Sequence, residues 1–213
     1  LLPVFAGTCN DQGGVSLLLD DIVKFFPCPG YREVIEGQNI RGESIEIEIG
    51  ENEPFSAFVF KTVADPFVGK MSYFRVTSGT LTTDKAIINT VSGQTEKIGR
   101  LYVMRGKKQI EVDSLACGDI GMIAKLTNTN TNDTLTDGSD VAYAKITYPT
   151  PYMSQAMLPA TAKDESKISQ AIARMTEEDR TLRSENNPET SQQLIYAMGD
   201  MHLSILAANL KNR

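Results

Sequence analysis

The stretch that decides the fold is Phe60-Lys-Thr-Val-Ala-Asp-Pro-Phe-Val-Gly-Lys-Met-Ser-Tyr-Phe-Arg-Val-Thr-Ser-Gly79. Apolar and polar residues alternate on both sides of a connection that contains the turn-forming Asp65-Pro66 and Gly69. Alternation with a period of two between turn residues is typical of β-strands. The stretch therefore predicts a hairpin of two strands, with Gly79 ending the second strand.

Gly69-Lys70 within this stretch invites comparison with a phosphate-binding loop. Such a loop needs a glycine five residues before this glycine and a Ser or Thr directly after the lysine. The chain has Ala64 and Met71 at those positions, and a strand on each side instead of a helix N-terminus that would attract an anion. The sequence therefore indicates a connection between strands with no nucleotide to hold.

Length and composition are those of an ordinary globular protein. The chain has 213 residues, of which 41% are hydrophobic and 23% charged, enough for one or two domains with a real core. No apolar run is long enough to span a bilayer. The N-terminus has no basic region typical of a signal peptide and no initiator Met, so we expect a piece of a longer protein.

The cysteine spacing and the net charge indicate the cellular compartment and limit the kinds of partner that the chain can bind. Cys9, Cys28 and Cys117 are odd in number and lack metal or redox spacing, which favours a reducing cytoplasm and predicts no metal site. The net charge of −6 argues against DNA and against a generic RNA binder, but it leaves room for a local basic patch.

The first 148 residues divide into three parts. Residues 1–29 predict a strand, a Gly-containing loop and a helix, and residues 30–52 a linker with an edge strand at Ile45–Ile49. Residues 53–148 predict a closed barrel or sandwich of many short strands. Its predicted strands are Ala57–Val63, Met71–Thr77, Ala86–Val91, Glu96–Met104, Gly121–Leu126 and Val141–Tyr148.

The pattern changes to a helical period after Pro149 and Pro151. Residues 149–213 predict strand, helix, strand, strand, helix, which is a ferredoxin-like α+β domain lacking its last strand. Asp164 is a candidate cap for the first helix, strands are predicted at Arg180–Ser184 and Gln192–Ala197, and the last helix runs from about Asp200 to Lys211.

The Phe60–Gly79 stretch closely resembles the start of the second domain of bacterial elongation factor G. Further short sequence motifs, in the family's order and spacing, extend the resemblance over essentially the whole chain. They are Gly7-Thr-Cys9, Lys97-Ile-Gly-Arg-Leu101, Ala116-Cys-Gly-Asp-Ile120, Asp133-Thr-Leu135 and Ala197-Met-Gly-Asp-Met-His-Leu203. The resemblance implies the end of a GTPase domain, the translation-factor β-barrel of domain II and most of domain III. Departures at Thr8, Cys9, Ala197, Asp200 and Met201 indicate a divergent paralogue.

The resemblance also implies an activity that these residues do not carry alone. The family uses GTP and Mg²⁺ to drive ribosomal translocation, and Gly7, Thr8 and Cys9 match its fifth guanine-nucleotide motif. The first four motifs are absent: the sequence has no Asn-Lys-x-Asp, and Asp11-Gln-Gly-Gly14 is too short a match to count. We therefore expect no catalytic residue, no cofactor and no GTP hydrolysis here, while the parent protein would be a GTPase.

Basic residues supply the candidate partner surface. The densest cluster comprises Lys97, Arg100, Arg105, Lys107 and Lys108. Because the family's second domain touches small-subunit RNA, these side chains are candidate phosphate contacts, with a solvated barrel rim as the alternative. For an Asp65–Lys70 pair, a structural role in a solvated connection between strands is a simpler interpretation than a functional one. For His202, packing against or capping the last helix is simpler than a catalytic role.

The leading hypothesis is thus a ribosome-docking and inter-domain coupling part of a cytoplasmic elongation factor G-like protein that contacts small-subunit RNA and protein. The alternatives are a ribosomal protection protein of the tetracycline-resistance type and a stand-alone RNA- or protein-binding barrel. A ferredoxin-like sheet without its last strand leaves an unpaired edge on its first strand. We expect this edge to be covered by a neighbouring chain, in a crystal or homo-oligomer, or to be poorly ordered.

Overall fold

The strands of the first 150 residues build one large sheet and two small ones. The computed structural model describes residues 2–65, 67–83, 85–159, 161 and 164–211. The strands are β1 Val34–Gln38, β2 Ser44–Glu48, β3 Ser56–Asp65, β4 Gly69–Ser78, β5 Thr80–Thr82, β6 Ala86–Asn89, β7 Gln94–Lys97, β8 Leu101–Arg105, β9 Lys108–Val112, β10 Ser114–Ala116, β11 Ile120–Ala124 and β12 Thr134–Thr136.

The large sheet curls around a single core. Its eight antiparallel strands lie in the order β7-β6-β12-β3-β4-β11-β8-β9, and β5 pairs with β10 beside them. Ile87 of β6 and Leu101 of β8 come from strands near opposite ends of that order, yet both belong to one buried cluster. The predicted all-β barrel is confirmed.

The predicted hairpin is the pair β3–β4, at the centre of the sheet. Val59 and Phe74 are fully buried and opposite each other, as the alternation requires. The alternation is broken at Phe60, however, because the register shifts there and leaves that residue without a partner on β4. This bulge turns Thr62 inward, where it is 1% exposed, although strict alternation from Val59 would turn it outward.

Two predicted strands were wrong. Glu96–Met104 is two strands, β7 and β8, because Ile98-Gly99-Arg100 leaves the ladder between them. Val141–Tyr148 forms no strand: its backbone is held by a single bridge between Ala142 and Gln38 and by side chains of the barrel. Strands β5, β9, β10 and β12 were missed, since each has only three to five residues.

Residues 30–52 form a hairpin where a single edge strand was expected. β1 pairs with β2, and Gly37 in the middle of β1 makes room for Ile47, whose Cδ1 would lie 2.2 Å from any Cβ at that position. Ser78 Oγ donates to Glu48 O over 2.7 Å, which ties the hairpin to the end of β4. The boundaries at 29/30, 52/53 and 148/149 stay predictions.

The N-terminal segment contains the predicted helix but not the predicted strand. Residues 2–7 form neither helix nor strand, and none of the described strands pairs with them. The helix, α1, spans Val15–Phe25, and none of its side chains is buried by the described residues. Its apolar stripe is therefore exposed: Val23 is 86% accessible and Leu17 62%.

The low-complexity Asn/Thr segment, residues 127–134, is ordered by buried acids. Glu96 is 5% exposed, and its carboxylate accepts hydrogen bonds from Asn128 N at 2.6 Å and Thr129 Oγ1 at 3.0 Å. Asp133 Oδ2 accepts from Asn89 Nδ2 at 2.8 Å. Buried carboxylates with several donors are stable where unpaired ones are not, so this segment is part of the barrel rather than a loose loop.

Asn132 begins Asn132-Asp-Thr134, which has the form of an N-glycosylation motif, but its side chain has a structural role. It is 7% exposed, and its amide both donates to Ile146 O at 2.9 Å and accepts from Ile146 N at 3.1 Å. This two-way bond fastens the Val141–Tyr148 segment along the barrel and leaves the Asn132 amide inaccessible to a sugar.

The C-terminal unit, residues 153–211, has the predicted element order. Its elements are β13 Met153–Met157, α2 Glu165–Glu178, β14 Arg183–Asn186, β15 Gln193–Ala197 and α3 Asp200–Lys211. The sheet order is β13-β15-β14, and both helices contribute to a core that includes Ile172, Ile195 and Leu206. The predicted ferredoxin-like α+β unit is confirmed, and its described residues form three strands. Within the described residues β13 pairs only with β15, and a covering neighbour at its other edge stays a prediction.

Two details of this unit differ from expectation. Asp164 precedes α2 as predicted, but its side chain accepts a hydrogen bond from Thr161 Oγ1 at 2.6 Å and makes no capping bond to the helix. β14 begins at Arg183 and not at residue 180, because Asp179 and Leu182 close a turn between the helix and the strand.

Replacing Gly79 with alanine should destabilise the barrel by roughly 2–5 kcal/mol, the sum of left-handed strain and overpacking. Gly79 has φ +72, and a Cβ there would lie 2.5 Å from Glu53 O and 2.7 Å from Phe55 N. Gly69→Ala is the matched control, since Gly69 has φ +88 and open space around it. For this control we expect the free energy of unfolding, measured with urea, to fall by about 1–2 kcal/mol. Equal losses would contradict the close packing at Gly79.

Candidate functional site

The Gly7-Thr8-Cys9 segment lies in an exposed loop before α1. Thr8 N donates to Gly13 O at 3.0 Å, and a Cβ on Gly7 would lie 2.8 Å from the same oxygen. The loop is therefore closed on itself, and the Thr8 amide is already used. The Thr8 and Cys9 side chains face solvent.

The structure separates the five basic candidates into two groups. Arg105 and Lys108 are paired at the tip of the β8–β9 hairpin, with Lys107 in the turn between them, and all three are exposed. Lys97 and Arg100 precede the other end of β8. Arg105 lies five positions after Arg100, and at the spacing of a β-strand this is roughly 16 Å. The sequence cluster is thus not one patch.

The two groups also differ in their neighbours. Arg100 Nη1 lies 3.1 Å from Glu111 Oε2, and both side chains are more than half exposed, so the pair contributes at most about 1 kcal/mol. None of the ion pairs among the described residues involves the hairpin tip, Arg105–Lys108. Three cations at one exposed turn are suited to phosphate contact.

Asp65 and Lys70 each have other hydrogen-bond partners. Asp65 Oδ1 accepts hydrogen bonds from Phe67 N and Val68 N, both at 2.8 Å, and Lys70 Nζ donates to Asn130 Oδ1 at 2.8 Å. The amides of Val68 and Phe67 hold the pKa of the Asp65 carboxyl below its usual range. Both side chains therefore shape the β3–β4 connection.

His202 connects the two helices of the C-terminal unit. Its Nδ1 accepts from Met198 N at 3.4 Å, just before α3, so in the neutral ring the proton lies on Nε2. Nε2 faces Asp179 Oδ2 at 3.1 Å, at the end of α2. The imidazole thus caps α3, as expected from the sequence, and also ties it to α2, a link that the single histidine in the sequence did not reveal.

One polar cluster was not anticipated. On β14 and β15, Tyr196 donates to Glu185 Oε1 at 2.5 Å, and Arg183 pairs with the same carboxylate while lying 5.3 Å over the Tyr196 ring. The Tyr196 hydroxyl is the main cause that lowers the pKa of Glu185, and the carboxylate raises the pKa of Tyr196. This cluster could have been predicted from the sequence by pairing alternate residues across the two neighbouring strands.

A cleft of 880 Å³ lies between the N-terminal segment, the β1–β2 hairpin and the barrel. It is lined mainly by aromatic and apolar side chains, among them Phe58, Phe60, Tyr143 and Ile146, together with the charged Arg32, Glu36 and Arg75. Cys117 also lines it, donates to Thr77 O at 3.1 Å, and has its pKa raised by burial. A raised pKa keeps the thiol protonated, which is the opposite of what a nucleophilic cysteine needs.

The two folded units match one family in two places. Residues 54–138 match the family model for domain 2 of elongation factor G, and residues 148–213 match the model for domain III of elongation factor G. The two ranges follow each other along the chain in the order of those domains.

A solved structure shows the same arrangement. The chain is similar to a crystal structure of a protein from Thermus thermophilus, with a TM-score of 0.74 and 28% sequence identity. The match covers 93% of this chain and 28% of that one, so this chain spans less than a third of that relative's length. None of the described helices has the length and apolar character needed to cross a membrane.

Acid titration should show that the β3–β4 connection depends on an ionised Asp65. Its folded-state pKa lies below the ordinary 3.8, so its contribution to stability is fully present above the unfolded pKa and is lost as the pH falls through the folded value. Carboxyl ¹³C chemical shifts measure that pKa directly. Asp65→Asn keeps an acceptor oxygen but cannot titrate, and its acid unfolding should lack this component. A midpoint at or above 3.8 for Asp65 would contradict the assigned hydrogen bonds.

Proposed function

The chain belongs to the elongation factor G family, and from this premise we propose that it provides the ribosome-docking barrel and the coupling domain of a GTP-dependent translocation factor in the cytoplasm. The observation that carries the proposal is the joint presence of domains II and III in family order, with a basic hairpin tip on the barrel.

The barrel would contact small-subunit RNA through the hairpin tip, Arg105–Lys108. Its cations are exposed and lie at a turn, where phosphates can approach without displacing other protein groups. The chain as a whole carries a net charge of −6, which favours contact at this local basic site, because a negatively charged surface repels the RNA backbone.

The C-terminal unit would relay changes between the nucleotide-binding part of the factor and its other domains. It packs against β3 through α2, so a movement of either unit is felt by the other. Such a contact is a direct route by which a change in one unit reaches the other, which suits a relay.

The residues of this chain do not fit GTP and Mg²⁺ on their own. The sequence has no phosphate cradle, and the Thr8 amide of the fifth-motif loop already donates to Gly13 O. Nucleotide chemistry therefore belongs, in this proposal, to other parts of the factor.

A GTPase assay on the purified 213-residue chain should show no turnover above buffer, since phosphoryl transfer needs a cradle, Mg²⁺ ligands and switch loops that the sequence lacks. Phosphate release at a range of GTP concentrations, with and without ribosomes, measures this. Clear turnover that survives further purification would contradict the proposal.

Neutralising Lys107 and Lys108 together, as Lys107→Ala and Lys108→Ala in the complete factor, should weaken ribosome binding. Each lost phosphate contact reduces the slope of log Kobs against log salt by roughly 0.7–0.9, so we expect a reduction of about 1.4–1.8. Measuring binding to small ribosomal subunits at several salt concentrations gives both the affinity and its salt slope.

Lys97→Ala with Arg100→Ala is the matched control, because it removes the same charge at the opposite end of β8. We expect a small uniform loss from the long-range field and an unchanged slope. Unchanged affinity and slope in the Lys107 and Lys108 variant, or an equal effect in the control, would refute docking through the hairpin tip.

A further inference from the structure

The end of α2 carries three consecutive acids, Glu177, Glu178 and Asp179. A helix C-terminus has a partial negative charge, so carboxylates there are unfavourable unless other groups stabilise them. No basic residue lies in the last turn of this helix. Two of the three carboxylates are instead bound by groups outside the helix.

Glu178 reaches the barrel. Its Oε1 accepts a hydrogen bond from the backbone N–H of Ala64 at 2.7 Å, and both residues are half-buried. Ala64 lies on β3, directly before Asp65, whose carboxylate holds the connection to β4 in place. The amide is therefore presented by a residue of the β3–β4 ladder, where Ala64 is paired with Lys70. A charged acceptor makes the bond stronger than a neutral one.

Asp179 fixes the same helix end within the C-terminal unit. Its Oδ2 faces His202 Nε2 at 3.1 Å, and its Oδ1 accepts from Thr181 N at 2.8 Å. A displacement of Glu178 is therefore shared by α2, α3 and the turn into β14. The Glu178–Ala64 bond therefore joins the barrel to a helix end that is itself tied to α3 and to the turn into β14.

We propose that Glu178 is the positioning residue that sets the orientation of the C-terminal unit on the barrel, through the Glu178–Ala64 contact. The inference rests on the coupling role in the proposed function, but it concerns the isolated chain and needs no ribosome. The covalent link through residues 149–152 limits the distance between the units, and this contact selects one arrangement among those that the link allows.

Backbone ¹⁵N relaxation of the 213-residue chain tests the proposal. In the wild type, residues of the barrel and of the C-terminal unit should share one rotational correlation time. In Glu178→Ala the two units should tumble with different correlation times, and amide exchange at Ala64 should accelerate roughly fivefold or more.

Two variants at the same helix end separate the contact from a general effect. Glu177→Ala removes the same charge from an exposed neighbour and should leave both readouts unchanged. Glu178→Gln keeps an acceptor oxygen and should restore most of the common tumbling. Unchanged amide chemical shifts within each core confirm that the variants are folded.

A wild type that already tumbles as two bodies, or a Glu178→Ala variant that still tumbles as one with slow exchange at Ala64, would overturn the proposal. Either result would leave ribosome docking untouched, because that is measured with the hairpin-tip variants. Conversely, loss of docking with an intact Glu178–Ala64 contact would count only against the proposed function.

Discussion

The antiparallel pairing of β3 with β4 is the contact on which the rest of the structure depends. Both strands have ten residues and lie at the centre of the large sheet, with β12 on one side and β11 on the other. Their register sets which side chains enter the barrel core. The last part of β3 also donates to the carboxylate of Glu178, so the same pairing fixes where the second unit attaches.

Much of this architecture is predictable from the sequence, because it depends on periodicity and turn residues. The Phe60–Gly79 hairpin, α1, α3 and the element order of the C-terminal unit follow from spacings of two or about 3.6 residues. The strand predictions were wrong at local irregularities, namely the bulge at Phe60 and the break at Ile98-Gly99-Arg100. These depend on the strand register and the curvature of the sheet, which the alternation of apolar and polar residues does not determine. Val141–Tyr148 alternates like a strand but is held by Asn132 and Thr134 side chains.

The arrangement of the candidate basic residues in space could not be predicted from their spacing in the sequence. Counting lysines and arginines along the chain treats Lys97 and Lys108 as neighbours, although one strand's length separates their groups. The acids at the end of α2 show the converse case, in which the partners of neighbouring residues lie far away in the sequence. In the sequence they are the polar end of a helix, and only the fold shows that Glu178 and Asp179 have partners on β3 and α3, distant in sequence.

The exposed basic turn of the barrel and the packing of α2 against β3 are the two features that support the proposed docking and relay roles. Electron cryo-microscopy of the complete factor on the ribosome tests this most directly. We predict that the Arg105–Lys108 tip lies against small-subunit RNA phosphates. A barrel that docks with this tip facing solvent would contradict that prediction.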